Sequence, residues 1–291
     1  MSSLKTQRKS PNLFIIGAMK SGTTSLHNYL NTHPRIYMSE LKEPGFFVEE
    51  IAWHKGFDWY ASLFAGASDE LYIGESSTDY TKLPFYKGVP EKIQAFNPDS
   101  KFVYIVRNPF ERLISHYWHA VRHVSTGGEK KDLYCACMQN IEFIGFSLYA
   151  DQIRPYIDLF GLEKIFITSF EQMIQNPAKC VNEILHWLDL EGEAEEEFNK
   201  RWNAKPERII GASGPEFLNR LRYSKTWDKL APFVPQGLRN RASAMTVGEV
   251  DVSAQEKHKD KLRAEVIPRL REQVEEFQAL TGKDFGSYWK L

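Results

Sequence analysis

The stretch that most constrains this chain lies near its start. Leu13-Phe14-Ile15-Ile16 is a short apolar run that reads as a buried strand, and it passes directly into Gly17-Ala18-Met19-Lys20-Ser21-Gly22-Thr23-Thr24. Leu26, Tyr29 and Leu30 then recur at helical spacing. The order is strand, glycine loop, helix. Such a loop presents unpaired backbone N–H groups together with the positive end of a helix dipole, the surroundings an anion such as phosphate requires.

The unit repeats along the chain. Leu71-Tyr72-Ile73 reads as a strand running into Gly74-Glu75-Ser76-Ser77. Phe102-Val103-Tyr104-Ile105-Val106 reads as another, running into Arg107-Asn108-Pro109 and a helix with Phe110, Leu113, Ile114 and Tyr117 on one face. A helix marked by Ile153, Ile157 and Phe160 precedes a strand at Ile165-Phe166-Ile167-Thr168, and Asn176-Pro177 starts a helix carrying Val181, Ile184, Leu185 and Leu188. Strands alternating with helices imply an α/β fold, a parallel β-sheet flanked by helices in a P-loop-like three-layer sandwich. Residues 1–11 read as a flexible N-terminal tail and 12–291 as a single domain, with a loop-rich excursion or lid at about 203–255 where Pro, Gly and Arg are frequent and periodicity is weak. A last helix carries Leu262, Val266, Leu270, Val274 and Phe277, and Pro268 is expected to begin or kink it.

Charge narrows the partners. Lys and Arg number 37 against 38 for Asp and Glu, so no global field draws in nucleic acid or an anionic membrane, and any anion site is local. Cys135, Cys137 and Cys180 are too few and too oddly numbered for a disulfide framework and read as free thiols in a reducing compartment. Met1 to Pro11 is polar and basic with no apolar run behind it, and no stretch approaches the roughly 18 apolar residues of a membrane span, so a cytoplasmic location is expected.

The glycine loop resembles a Walker motif, Gly17-x4-Gly22-Thr23-Thr24, except that Thr23 occupies the place of the lysine and the lysine lies inside the loop as Lys20. The strand ending at Val106 is followed by Arg107, where a P-loop NTPase commonly offers an Asp for Mg²⁺ among its neighbouring strands. An arginine there suits a second phosphate. Two anion sites on adjacent strand ends fit a nucleotide with phosphates at both its 5′ and 3′ positions. They disfavour the main alternative, a P-loop small-molecule kinase. A non-catalytic nucleotide-binding module is the second alternative.

At these residues the chain resembles the sulfotransferases that use 3′-phosphoadenosine 5′-phosphosulfate (PAPS), especially their bacterial and heparan-sulfate-type branch. Phe14 to Leu26 resembles the 5′-phosphosulfate loop, and Lys101 to Tyr117 the 3′-phosphate segment. Weaker likenesses are Leu41 to Phe47, Asp58-Trp59-Tyr60, Gly74 to Ser77, Tyr149-Ala150 and Leu280 to Phe285. The resemblance implies PAPS as donor co-substrate, adenosine 3′,5′-bisphosphate as product, and no metal. It implies that the backbone of Ser21, Gly22, Thr23 and Thr24, with the hydroxyls of Thr23, Thr24 and Ser25, holds the 5′ phosphosulfate. Arg107 and Ser115 would hold the 3′ phosphate, and Arg208 contact the nucleotide.

Sulfuryl transfer asks for charge neutralisation on the bridging oxygen and a base for the acceptor. Lys20 is placed for the first. Glu43, in Lys42-Glu43-Pro44-Gly45-Phe46-Phe47, resembles the catalytic glutamate of the heparan-sulfate branch, with Glu75 as a second candidate carboxylate that otherwise reads as a helix-capping strand-end residue. Gly45 stands where that branch commonly has a histidine and Ser76 where it often has a lysine. His116, His119 and His123 share a helical face and offer an alternative base, a metal site or, more often, a polar surface, although no matching carboxylate or cysteine pattern completes a metal set and Cys135-Ala136-Cys137 lacks zinc spacing. Trp53, Phe57, Trp59 and Tyr60 divide evenly between core and a stacking surface for an acceptor. The acceptor, a hydroxyl or amine of a carbohydrate, lipid or other small molecule, and the oligomeric state stay open.

Overall fold

Apolar runs without polar alternation belong to strands covered on both faces, and the computed structural model has such strands at its centre. It describes residues 10–122, 132–192, 210–212, 247–249, 252–286 and 288–291. The strands are β1 (Leu13–Gly17), β2 (Ile36–Met38), β3 (Tyr72–Ser76), β4 (Lys101–Val106), β5 (Ile165–Ser169), β6 (Ile210–Ala212) and β7 (Val247–Glu249). Among the described residues the helices are α1 (Thr23–Leu30), α2 (Gly56–Ser62), α3 (Val89–Phe96), α4 (Pro109–Arg122), α5 (Leu133–Gln139), α6 (Ile141–Gly145), α7 (Tyr149–Phe160), α8 (Phe170–Gln175) and α9 (Pro177–Trp187), then Val252–Gln255 and the C-terminal helix Lys259–Thr281. The chain divides into two compact units: Met1–Arg112, Gly145–Ala204 and Arg269–Leu291 in one, Leu113–Ile144 and Lys205–Pro268 in the other.

The first unit holds a five-stranded sheet in the order β2-β3-β1-β4-β5, every pair parallel. Successive side chains sort to opposite faces. Phe14, Ile16, Phe102 and Tyr104 join a core with Tyr149, Ile153, Tyr156 and Phe160 of α7 and Val274 and Phe277 of the C-terminal helix. Leu13, Ile15, Val103 and Ile105 join another with Leu26 and Leu30 of α1 and Val181, Ile184 and Leu185 of α9. The result is the α/β three-layer arrangement expected from the sequence.

Local signals act as read at several ends. Asn176 accepts from the Lys179 N–H and Pro177 opens α9, while Ser169 and Gln172 form a capping box that starts α8 directly after β5. β3 begins and ends later than its apolar run, since Gly74-Glu75-Ser76 stays in the sheet. A Cβ at Gly74 would lie 2.7 Å from Met38 Sδ and 3.0 Å from the Leu13 carbonyl. Pro268 does not begin the last helix, which runs through it from Lys259 to Thr281. Phe46 stacks on Tyr60 at 4.1 Å and Trp53 lies 5.3 Å from Phe46, so this aromatic group is largely core, although Phe57 is 48% exposed.

In the second unit, Asp132 caps α5 through the Cys135 N–H, and β6 pairs antiparallel with β7. Trp118 donates its indole N–H to Glu256 at 2.9 Å, and Tyr134 its hydroxyl to Glu265 at 2.9 Å. His116 is buried with its ring 4.7 Å from that of Phe143, and His119 is half-buried. His123, residues 1–9 of the expected tail and most of the excursion at 203–255 lie outside the described residues. The three cysteines are free thiols. Among the described residues no helix is long and apolar enough to cross a membrane, and no group of three or more His, Cys, Asp or Glu is placed to hold a metal.

Candidate active site

In a parallel sheet the chain leaves every strand at the same edge, and ligands bind there. Because β1 lies between β3 and β4, the segments following Ser76, Gly17 and Val106 emerge as neighbours.

The loop after β1 turns tightly. The Ala18 N–H donates to the Ile105 carbonyl at 2.6 Å and the Ser21 N–H to the Ala18 carbonyl at 3.1 Å. Lys20 and Gly22 have left-handed backbones, with φ of 71° and 90°. Gly22 is the N-cap of α1 and no side chain caps that end, so the first-turn N–H groups have no intrahelical acceptor. A Cβ on Gly22 would lie 2.6 Å from Met173 Cε and 2.9 Å from Phe170 Cδ2. Ser21 is wholly buried and its hydroxyl has no hydrogen-bond partner among the described residues. Thr23 and Ser25 are buried, Lys20 and Thr24 half-buried. The donor set is one an anion fits: oriented N–H groups, a helix dipole, an orphaned hydroxyl and a lysine.

Arg107, just past β4, reaches this loop. Its Nη1 donates to the Lys20 carbonyl at 3.3 Å, and its guanidinium lies 4.9 Å from the centre of the Phe170 ring. Tyr149 fixes the backbone, its hydroxyl donating to the Arg107 carbonyl at 2.7 Å and accepting the Arg107 N–H at 3.3 Å. Burial pushes the Tyr149 phenol well up, so it keeps the proton it donates. Asn108 caps α4 through the Phe110 and Glu111 N–H groups. Its own N–H donates to Glu171 Oε1 at 2.9 Å, while Glu171 Oε2 takes the Trp289 indole N–H at 3.1 Å. The sequence reading missed Tyr149, Phe170 and Glu171 as supports of Arg107. The usable signal was position, since Phe170-Glu171 follows β5 as Arg107 follows β4. Ser115 lies half-buried on α4 within the second unit, and Arg208 lies outside the described residues.

Glu43 follows β2 and Glu75 lies within β3, and the segment after β3 bonds to both carboxylates. Glu43 has φ 58°, its N–H donates to the Ser76 carbonyl at 2.9 Å, and its Oε2 accepts from the Thr78 N–H at 2.7 Å and the Thr78 hydroxyl at 3.1 Å. Lys42 donates to Glu43 Oε1 at 2.6 Å, and the Glu43 side chain is 36% exposed. Glu75 is wholly buried: Tyr60 and Tyr80 each donate to its Oε1 at 2.6 Å, and Ser77 to its Oε2 at 2.6 Å. It caps no helix and has no oxygen turned outward. Burial pushes its carboxyl up to about 7, against the pull of the hydroxyls of Ser77, Tyr60 and Tyr80, with the nearby Glu43 charge adding to the rise. The neighbouring Ser76 hydroxyl is 2.8 Å from His27 Nδ1. Burial, then the charge of Lys42, pushes that imidazole down to about 4 against a backbone hydrogen bond at Ser39, so His27 is neutral at pH 7.

A parallel sheet whose first strand feeds an uncapped helix through a left-handed glycine loop, with an arginine bonded to that loop from the next strand, defines an α/β protein of the P-loop type. Residues 10–205 match the sulfotransferase domain family, and the chain belongs to it. It is 26% identical over 208 residues to a bifunctional heparan sulfate N-deacetylase/N-sulfotransferase 1 from Caenorhabditis elegans, covering 64% of this chain and 23% of that protein. It is 27% identical over 191 residues to human heparan sulfate glucosamine 3-O-sulfotransferase 6, covering 63% of this chain and 54% of that one. The chain thus spans from under a quarter to about half of these relatives. The crystal structure of a sulfotransferase from Alicyclobacillus acidocaldarius shares the fold with a TM-score of 0.68 at 23% identity, covering 97% of this chain and all of that one.

Proposed function

We propose that this member of the sulfotransferase family moves a sulfuryl group from PAPS to a hydroxyl or amine of an acceptor by in-line transfer. The observation that carries the reading is the hydrogen bond from Arg107 to the Lys20 carbonyl, which sets a second cation against the glycine loop. A nucleotide with its 5′ end on the loop and its 3′ phosphate on Arg107 satisfies both. Ser115 and Arg208 are further contacts of that nucleotide in this reading.

The chemistry follows from the residues. The acceptor O–H or N–H gives its proton to Glu43 Oε1 while its heteroatom bonds to sulfur, and the bond from sulfur to the 5′-phosphate oxygen breaks. The charge left on that oxygen is met by the Lys20 ammonium and the N-terminus of α1. Thr78 holds the other Glu43 oxygen, leaving Oε1 with Lys42, whose ammonium gives up its place to an acceptor in this reading. Relatives named as an N-sulfotransferase and a 3-O-sulfotransferase of heparan sulfate or its glucosamine favour a carbohydrate within the wider acceptor class. Three free thiols fit a reducing compartment such as the cytoplasm.

Thermal stabilisation by adenosine 3′,5′-bisphosphate and by ATP, each with Mg²⁺ and with EDTA, tests the donor site. A ligand at 100 times its Kd adds about 2.7 kcal/mol to stability. The bisphosphate is expected to stabilise equally with Mg²⁺ or EDTA. Stabilisation by ATP with Mg²⁺ alone would replace this reading with the small-molecule kinase. Bisphosphate binding without sulfuryl loss from labelled PAPS across hydroxyl and amine acceptors would replace it with the non-catalytic module.

A further inference from the structure

Glu75 is a wholly buried carboxyl for which the reaction above has no use, yet it sits at the root of the turn that carries Glu43. Ser77 donates to Glu75 Oε2 at 2.6 Å and accepts the Gly45 N–H at 3.0 Å. Tyr80 donates to Glu75 Oε1 at 2.6 Å and accepts the Phe47 N–H at 3.4 Å. A hydroxyl has a single proton. When the carboxylate takes it, the oxygen faces the turn with lone pairs only, which is what a backbone N–H needs. Glu75 therefore sets the polarity of both bridges, and each ends on a backbone amide within four residues of Glu43.

The turn needs such support, because Glu43 and Gly45 have left-handed φ angles of 58° and 59° and a non-glycine residue is unfavourable there. The same segment supplies the Ser76 carbonyl to the Glu43 N–H and the Thr78 N–H and hydroxyl to the Glu43 carboxylate. We infer that Glu75 is a positioning residue: through Ser77 and Tyr80 its carboxylate holds residues 43–47 in the shape that presents Glu43. The inference rests on the reading of Glu43 as base, but the geometry of the turn is testable without it.

Three proteins are compared with the wild type at pH 8, Glu75→Gln, Glu43→Gln and the double variant, by amide hydrogen exchange, bisphosphate calorimetry and sulfuryl release from PAPS. Glu75→Gln is expected to speed exchange at Gly45 and Phe47 at least tenfold and leave exchange at Phe14 and Val103 unchanged. Bisphosphate Kd should stay within twofold while release at saturating PAPS falls tenfold or more. In the Glu43→Gln background the same change should lower release no further. Unchanged exchange at Gly45 and Phe47, or an equal loss of rate in both backgrounds, overturns the inference. Full release by Glu43→Gln alongside faster exchange in Glu75→Gln removes the base reading and leaves the positioning of the turn standing. Should Glu75→Gln not fold, Ser77→Ala cuts one bridge, and exchange must then rise at Gly45 and stay unchanged at Phe47.

Discussion

Glu75 and His27 are buried groups whose titrations oppose each other, and separating them tests the electrostatics around the end of β3. The Glu75 carboxyl is pushed from a usual value near 4.5 up to about 7. Between those values the folded state binds the proton the unfolded chain has released, so this group's contribution is full below pH 4.5 and is lost as pH rises through 7. His27 is pushed from 6.5 down to about 4, so its contribution is full above pH 6.5 and is lost as pH falls through 4. Between pH 5 and 7, Glu75 costs about 2 kcal/mol as the pH rises, and His27 returns about 2 kcal/mol. In the wild type the two nearly cancel. Urea unfolding at pH 5 and pH 7 exposes them singly, because all other titrations are common to the proteins compared. Relative to wild type, Glu75→Gln should gain about 2 kcal/mol on going from pH 5 to 7, and His27→Asn should lose about 2 kcal/mol. Parallel pH dependence in wild type and Glu75→Gln, with equal m-values, would refute the raised carboxyl and the reasoning from its burial.

Lys20→Ala should lower sulfuryl transfer from PAPS by about 10²–10³-fold while bisphosphate binding by calorimetry persists, since the loop N–H groups remain. Gly22→Ala puts a Cβ 2.6 Å from Met173 Cε on a residue with φ 90°. Left-handed strain and overpacking together should cost about 2–4 kcal/mol in urea unfolding and weaken bisphosphate binding. Arg107→Lys keeps the charge but loses the guanidinium over the Phe170 ring and the geometry of the bond to Lys20, so bisphosphate Kd should rise by about 10–100-fold. An unchanged Kd would remove Arg107 from the donor site.

The centre of the sheet was legible because β1, β4 and β5 are buried runs whose type is settled by their own apolar residues. β2 was not, since Ile36-Tyr37-Met38 is too short for a period to register. β3 was legible only in part: Glu75 and Ser76 are polar, and no pattern of apolar residues announces that they lie wholly buried in the sheet. The glycine loop was readable for a related reason. A phosphate is held by the backbone of a contiguous loop, so the spacing of Gly17, Lys20 and Gly22 carries its geometry. The supports of Arg107 come from distant segments, Glu171 meeting Asn108 across 63 positions, and only the fold brings them together.

The same distinction bears on Gly45 and Ser76, the two departures from the heparan-sulfate branch, which the structure makes parts of one arrangement. A histidine in place of Gly45 would have to accept a left-handed backbone and a Cβ 3.0 Å from Ile51 Cγ2. A lysine in place of Ser76, which is wholly buried and bonded to His27, would bring an ammonium into a space that already drives an imidazole to neutrality. Neither residue fits by simple replacement. In their place the small Gly45 turns its N–H to Ser77, the small Ser76 ties α1 of the glycine loop to the end of β3, and Glu75 anchors both bridges to the turn. The Glu43 carboxylate itself is held by the Thr78 N–H and hydroxyl and by Lys42, while Ser77, Tyr80 and the Ser76 carbonyl hold the turn on which it stands. The cation left beside it is Lys42, one residue away along the chain and hydrogen-bonded to the Glu43 oxygen that Thr78 does not hold.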